Sequence, residues 1–77
     1  MIFEIHAAYK KYIEEIETKV LGLKDGYKKL IETNLDEKYI KVEVKPYQFL
    51  QFAKDIDFNM TLVTEMSTNS LWYFWVE

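Results

Sequence analysis

The chain has no cysteine, and in a protein of 77 residues this feature most restricts how a stable fold is reached. Small domains often supplement a limited core with disulfides, a bound metal or a partner chain. Without thiols, disulfides and thiolate metal sites are excluded, and a single histidine excludes most imidazole sites. Stability must therefore come from dense aromatic packing or from association. Five Phe, six Tyr and two Trp suit both.

Composition predicts one compact domain over residues 1–77. Hydrophobic residues make up 49% of the chain, and two Gly and one Pro leave no linker or low-complexity tract. The N-terminal residues 1–6 carry no basic segment of a signal peptide, and Glu4 interrupts their apolar run. Because no apolar run approaches the ~20 residues of a membrane span, we expect a cytoplasmic protein.

The charge pattern disfavours direct nucleic-acid binding. All ten basic residues are Lys, and the net charge is −3. Proteins that recognise nucleic-acid sequence rely on Arg for bidentate contacts to guanine and for stacking. We therefore expect another protein, or a second copy of this chain, as the partner.

Apolar spacing predicts two helices in the first half of the chain. Residues 2–21 carry apolar side chains at intervals of three and four, with Glu and Lys opposite: Ile2, Ile5, Tyr9, Ile13, Ile16 and Val20. Gly22 suits the helix C-cap and Asp25 the next N-cap, which predicts a second helix over 25–34.

Two alternatives stay open for this region. Asp25-Gly26 is a strong turn signal, so 19–32 could form a hairpin of two short strands. A seven-residue repeat would instead allow one continuous helix through both glycines, and its length would require an extended dimer: Ile2, Tyr9, Ile16, Leu23 and Leu30.

The second half alternates in a way that predicts strands around a short helix. A strand is expected over 38–45, a helix over 46–56 beginning at Pro46, and strands over 59–66 and 71–77 joined by a polar turn. The predicted fold is α+β, in the order α-α-β-α-β-β. Its three-stranded sheet is at least partly antiparallel, with helices on one face.

No catalytic or metal-binding motif is present. His6 is the one imidazole, and we expect it at the boundary of the first helix face rather than beside a nucleophile. The segment from Asp55 to Asn59 begins like a calcium loop, but Met60 and Met66 occupy the positions that require Gly and Glu. We therefore expect no enzyme, cofactor or metal. An enzyme centred on His6 and a carboxylate is the weaker alternative.

The last strand is apolar on both sides, which one layer of helices cannot cover. Trp72, Phe74 and Val76 alternate with Leu71, Tyr73 and Trp75. Either loops cover the outer side, or the strand extends under the first helix, or the outer side binds a protein. The candidate partner-binding residues here are Trp72, Tyr73, Phe74 and Trp75.

Acidic residues form a second candidate surface. Glu14, Glu15 and Glu17 lie in the first predicted helix, and Asp36 and Glu37 in the following loop. Such carboxylates can imitate a phosphate backbone. The interleaved lysines, however, are typical of an ordinary solvated face.

These observations favour a small non-catalytic module that binds and occludes a protein surface. The composition resembles that of small, acidic, cysteine-poor α+β proteins of AT-rich phages. Many of those proteins inhibit host nucleic-acid enzymes, the anti-CRISPR class among them, and such a protein would act in the bacterial cytoplasm. The alternative is a homodimeric structural or regulatory protein joined through the N-terminal helix or the C-terminal strand.

Overall fold

The computed structural model describes residues 1–24 and 26–77 and contains two helices and five strands within them. The elements in chain order are β1 (Ile2–Ala7), α1 (Lys10–Leu21), β2 (Lys28–Asn34), β3 (Tyr39–Val44), α2 (Phe49–Ile56), β4 (Met60–Leu62) and β5 (Trp72–Val76). A short 3₁₀ turn over Pro46–Gln48 leads into α2.

The strands form one mixed sheet in the order β2-β3-β1-β5-β4. Strand β1 pairs antiparallel with β3 and parallel with β5. The other two pairs, β2 with β3 and β4 with β5, are antiparallel. The predicted α+β class and helix-covered sheet are therefore confirmed, whereas the predicted count of three strands is wrong.

The first extra strand comes from the N-terminus, where the predicted helix over 2–21 is wrong. Residues 2–7 are strand β1, and the helix begins only at Lys10. Phe3, Ile5 and Ala7 are buried on one side of the strand, in a two-residue alternation. A window this short also fits helical spacing through Ile2 and Ile5, so periodicity alone could not separate the two structures.

The second extra strand, β2, replaces the predicted helix over 25–34. The helix α1 ends with Gly22 as its C-cap, as expected, so neither a hairpin over 19–32 nor a continuous helix forms. Asp25 lies outside the described residues. A register shift between Leu30 and Glu32 interrupts the pairing with β3, and this bulge hides the alternation expected of a strand.

Predictions for the second half hold, with shorter elements. The strand expected over 38–45 spans Tyr39–Val44, and the helix expected over 46–56 begins with the 3₁₀ turn. Asp57 caps α2 in the left-handed conformation with a φ of 53°, which Asp tolerates better than most residues. The strand expected over 59–66 ends at Leu62, because residues 64–66 turn.

The core lies between the two helices and one face of the sheet, which we call the inner face. Phe3 is its centre, with its ring in edge-on contact with Phe49, Phe52 and Phe74 at centroid distances of 5.2, 5.3 and 5.9 Å. From α1, the buried side chains are Ile13, Ile16 and Val20. None of the described helices is long and apolar enough to cross a membrane.

Substitutions on the two sides of β5 should differ in cost. Phe74 is 8% exposed and Trp75 is 37% exposed. Phe74→Ala is expected to lower the free energy of unfolding by about 3–5 kcal/mol, because it opens a cavity in the core. Trp75→Ala should cost less than about 2 kcal/mol. Denaturant unfolding of both variants measures the difference, and equal costs would contradict the assignment of the two faces.

A second prediction concerns Tyr27, whose hydroxyl donates to Asp55 Oδ2 at 3.1 Å and ties the start of β2 to α2. Burial and the bond to this carboxylate raise the pKa of Tyr27 from 10.0 to about 12. Because the folded pKa exceeds the unfolded one, the contribution to stability is complete below pH 10.0 and is lost as pH rises through about 12. The unfolding free energy of the parent protein should therefore fall more steeply in this range than that of Tyr27→Phe. Parallel slopes would contradict the prediction.

Candidate functional site on the outer face of the sheet

Neither α1 nor α2 packs over the opposite side of the sheet, which we call the outer face. Register places the alternate residues of the paired strands together there: Ile2, Glu4, His6, Lys29, Glu32, Asn34, Tyr39, Lys41, Glu43, Thr61, Tyr73 and Trp75. The charged members cluster on β2, β3 and β1, whereas the aromatic members continue across β5. The outer face is therefore charged towards one edge and aromatic towards the other.

Glu4 is the only charged residue among the described ones that is buried, at 7% exposure. Its Oε1 lies 2.8 Å from His6 Nε2, and its Oε2 lies 3.3 Å from Lys41 Nζ. Both partners are also largely covered, with 28% of each side chain exposed. A buried carboxylate is tolerated when its oxygens have such partners, so this three-residue cluster is an ordered part of the face.

The His6 ring continues the order towards β5. It stacks on Tyr39 at a centroid distance of 5.2 Å and lies against Tyr73 at 5.6 Å. The three rings come from adjacent strands β3, β1 and β5, and Trp75 is the register partner of His6. Stacked rings on neighbouring strands restrict one another's rotamers, and the imidazole is consequently fixed in position.

Tyr39 is held at its other end by Glu32. Its hydroxyl donates to Glu32 Oε1 at 2.6 Å, and this hydrogen bond is the main cause that raises the pKa of Tyr39 above the ordinary value. The neutral hydroxyl is the form that can donate to the carboxylate. Tyr39 is thus a neutral aromatic wall beside His6.

A loop after β4 covers part of the aromatic half. Val63 N–H donates to the Tyr73 carbonyl at 2.8 Å, and Ser67 Oγ donates to the Val63 carbonyl at 2.8 Å and accepts from Tyr73 N–H at 3.1 Å. These bonds hold Met66 beside β5. A partly open cavity of about 120 Å³ lies beside this loop, and it is lined by His6, Val63, Met66, Tyr73, Phe74 and Trp75.

The predicted aromatic residues divide between the two sides of the sheet. Tyr73 and Trp75 lie on the outer face, whereas Phe74 is in the core and Trp72 packs against it. β5 lies inside the sheet between β1 and β4, so neither of its edges is free for another strand. The loop after β4 covers part of the outer side of β5, so the expectation that loops cover this side is met only in part.

The predicted acidic residues lie elsewhere. Glu14 and Glu15 are exposed on α1, which packs over the inner face, and Glu17 is partly buried there. Asp36 and Glu37 are exposed in the turn between β2 and β3, where Asp36 Oδ1 is 3.6 Å from Lys10 Nζ. The structure does not bring the acidic residues of α1 and the aromatic residues of the outer face onto one surface.

The sequence pattern did not predict the cluster around Glu4 and His6. His6 was expected at the edge of a helix face, where residues two apart point in different directions. In a strand they share a face, so Glu4 and His6 become partners. The alternation of Phe3, Ile5 and Ala7 was the available signal.

Within residues 1–24 and 26–77 there is no group of three or more His, Asp or Glu side chains placed to bind a metal ion. In the cavity, the His6 imidazole is a polar group beside the aromatic side chains of Tyr73 and Trp75. Comparison with protein-family models, curated proteins and solved structures found no match to this chain.

The Glu4 cluster leads to a third prediction. Lys41→Met should lower the free energy of unfolding by about 1–3 kcal/mol, because a buried carboxylate oxygen loses its partner. Lys29→Met is the matched control, because Lys29 lies on the same face but is exposed, and it should change stability by less than about 0.5 kcal/mol. Thermal or denaturant unfolding of both variants is the measurement. Equal effects would mean that Lys41 does not stabilise Glu4.

Proposed function

We propose that this protein is a small non-catalytic binding module that docks onto another protein through the outer face of its sheet and occludes that partner's surface. The observation that carries the proposal is the aromatic half of this face, which no helix covers. The two helices cover the inner face and leave these side chains uncovered. Trp75 is 37% exposed and Met66 is 56% exposed.

The chemistry of these residues supports a docking role. Trp and Tyr are enriched among the residues that dominate binding energy at protein interfaces, and Met adapts its shape to a partner. The backbone at Tyr73 and Trp75 is held by strand pairing and by the loop after β4, so little backbone freedom is lost on binding. A prearranged aromatic surface of this kind favours a protein partner.

The polar groups of the face support a non-catalytic role. The Glu4 carboxylate is occupied by His6 and Lys41. Within the described part of the chain, no Ser, Thr or Tyr hydroxyl is hydrogen-bonded to His6 as an activated nucleophile would be. For an enzyme centred on His6, Glu4 would supply the carboxylate. The described residues place no nucleophilic hydroxyl beside the imidazole.

Charge favours a partner with a basic surface. The chain carries a net charge of −3, and acidic residues are exposed on α1, in the β2–β3 turn and at Glu43 on the outer face. Complementary charge speeds encounter with the basic surface of a nucleic-acid enzyme. A phage or mobile-element inhibitor of such a host enzyme, of the anti-CRISPR or anti-defence type, is the specific form of the proposal.

A homodimer is the competing outcome. Strand pairing through β5 would require a free edge, and both edges of β5 are already paired. A dimer would therefore form through α1 or through the outer face itself, and the oligomeric state in solution measures whether it does.

The fourth prediction tests the docking face with a matched pair of variants. Trp75→Ala should weaken binding to a host nucleic-acid enzyme at least tenfold, whereas Tyr47→Ala, whose residue is 78% exposed beside α2, should leave it unchanged. The assay measures inhibition of purified host nucleases and polymerases by each variant, with light scattering to give the oligomeric state. Inhibition lost only in Trp75→Ala supports the proposal.

Two results would overturn it. One is inhibition that survives Trp75→Ala but disappears when the acidic residues of α1 are neutralised, which would place the docking surface on the helix side. The other is a stable dimer that Trp75→Ala dissociates, with no inhibition by the parent protein, which would make the outer face a self-association surface.

A further inference from the structure

We infer that the cavity beside His6 binds a phenol group, an aromatic ring with one hydroxyl, whose hydroxyl donates a hydrogen bond to His6 Nδ1. This inference rests on the proposed function in one respect, since it names the group that the outer face would receive from a partner. The cavity can also be tested alone with a small probe, so the two proposals can fail separately.

The size and lining of the cavity indicate an aromatic guest. Its volume of about 120 Å³ is close to the ~150 Å³ of an engineered apolar protein cavity that binds benzene. The rings of His6, Tyr73 and Trp75 lie on the same face as this cavity, and Met66 adds a thioether. Ring edges and thioether sulfurs make favourable contacts with aromatic faces, so a flat ring fits this surround better than a branched aliphatic group.

The Glu4 cluster decides which nitrogen of His6 carries the proton. Glu4 Oε2 is paired with Lys41, and an ionised carboxylate can only accept hydrogen bonds. The 2.8 Å contact from Glu4 Oε1 to His6 Nε2 is therefore a bond donated by Nε2–H. In the neutral ring, Nδ1 is then unprotonated and acts as an acceptor.

Nδ1 is the ring nitrogen of His6 that no described residue engages. The described residues supply no hydrogen-bond donor to it, and it is not among their buried unpartnered atoms, so it is accessible from outside. An incoming group with a donor satisfies this acceptor, whereas a plain hydrocarbon ring or an acceptor group does not. A phenol combines the required ring with the required donor.

Two sources share this chemistry: a tyrosine side chain of a protein partner and a free small phenol. A tyrosine brings its backbone with it, whereas a free phenol needs only the cavity. Two probes, p-cresol and N-acetyl-tyrosinamide, distinguish these sources.

The first experiment reads the tautomer directly. The chain has a single histidine, so the ring signals of ¹⁵N-histidine-labelled protein are unambiguous. At the alkaline end of a pH titration, once the ring signals no longer change, the spectrum should show a protonated Nε2 and an unprotonated Nδ1. A protonated Nδ1 would overturn the inference, because the cavity would then present a donor.

The fifth prediction is a binding preference measured by NMR titration. p-Cresol should bind with a millimolar dissociation constant and shift the signals of His6, Val63 and Trp75. Toluene, the same ring and methyl without the hydroxyl, should bind about fivefold more weakly, which is the ordinary contribution of one hydrogen bond. Equal binding of the two would overturn the role of Nδ1, and absence of p-cresol binding would overturn the site.

Variants of the wall provide the control. Met66→Ala removes one wall from an exposed position and should weaken p-cresol binding without changing the fold. Leu50→Ala, 74% exposed on α2, is the matched substitution away from the cavity and should have no effect. Equal effects of the two substitutions would show that p-cresol binds elsewhere and would overturn the inference.

N-acetyl-tyrosinamide, with N-acetyl-phenylalaninamide as its control, separates the two sources. Binding of the tyrosine derivative supports a tyrosine of a protein partner. Binding of p-cresol alone supports a free phenol. In that case the site stands even if the docking experiment fails. If Trp75→Ala abolishes inhibition but no phenol binds, the docking proposal stands and this inference is wrong.

Discussion

The two-sided pairing of β1 is the constraint on which the rest of this structure depends. β1 lies in the middle of the sheet, antiparallel to β3 and parallel to β5, and its alternation supplies both faces. Phe3 on one side is the ring around which α2 and β5 pack. Glu4 and His6 on the other side begin the outer face. Core and candidate site are thus consecutive residues of one strand, and a one-residue shift of register would exchange them.

The outer face has a charged half and an aromatic half, and the proposed function depends on the aromatic one. The charged half is internally balanced, because Glu4 is bonded to His6 and Lys41, and Glu32 accepts the hydroxyl of Tyr39. The proposed docking therefore does not rely on these polar groups for its affinity. The aromatic half around Trp75 has no such internal partner among the described helices, and apolar surface of this kind gains free energy when a partner removes it from water.

Prediction from sequence succeeded where a segment had one dominant pattern. The strict alternation of Ile40, Val42 and Val44 identified β3, and Phe52 and Ile56 identified the buried side of α2. It failed where two patterns overlapped. Ile2 and Ile5 fit a helix as well as a strand, and the bulge between Leu30 and Glu32 removed the alternation that marks β2. β1 depends on pairing with β3 and β5, which lie far along the chain and which local spacing does not report. β2 pairs with the next strand, and there the bulge alone hides the pattern.

The same distinction applies to the candidate site. The sequence by itself determined that the last strand has more apolar surface than one helix layer covers, because Trp72 to Val76 alternate without a polar side. It also determined that these 77 residues form no disulfides and offer no Arg side chain for contacts. Only the tertiary structure decided that Phe74 belongs to the core and Trp75 to the outer face, and that Glu4, His6 and Lys41 meet. The reason is that strand pairing across the chain, rather than composition, selects which side of each strand the helices cover.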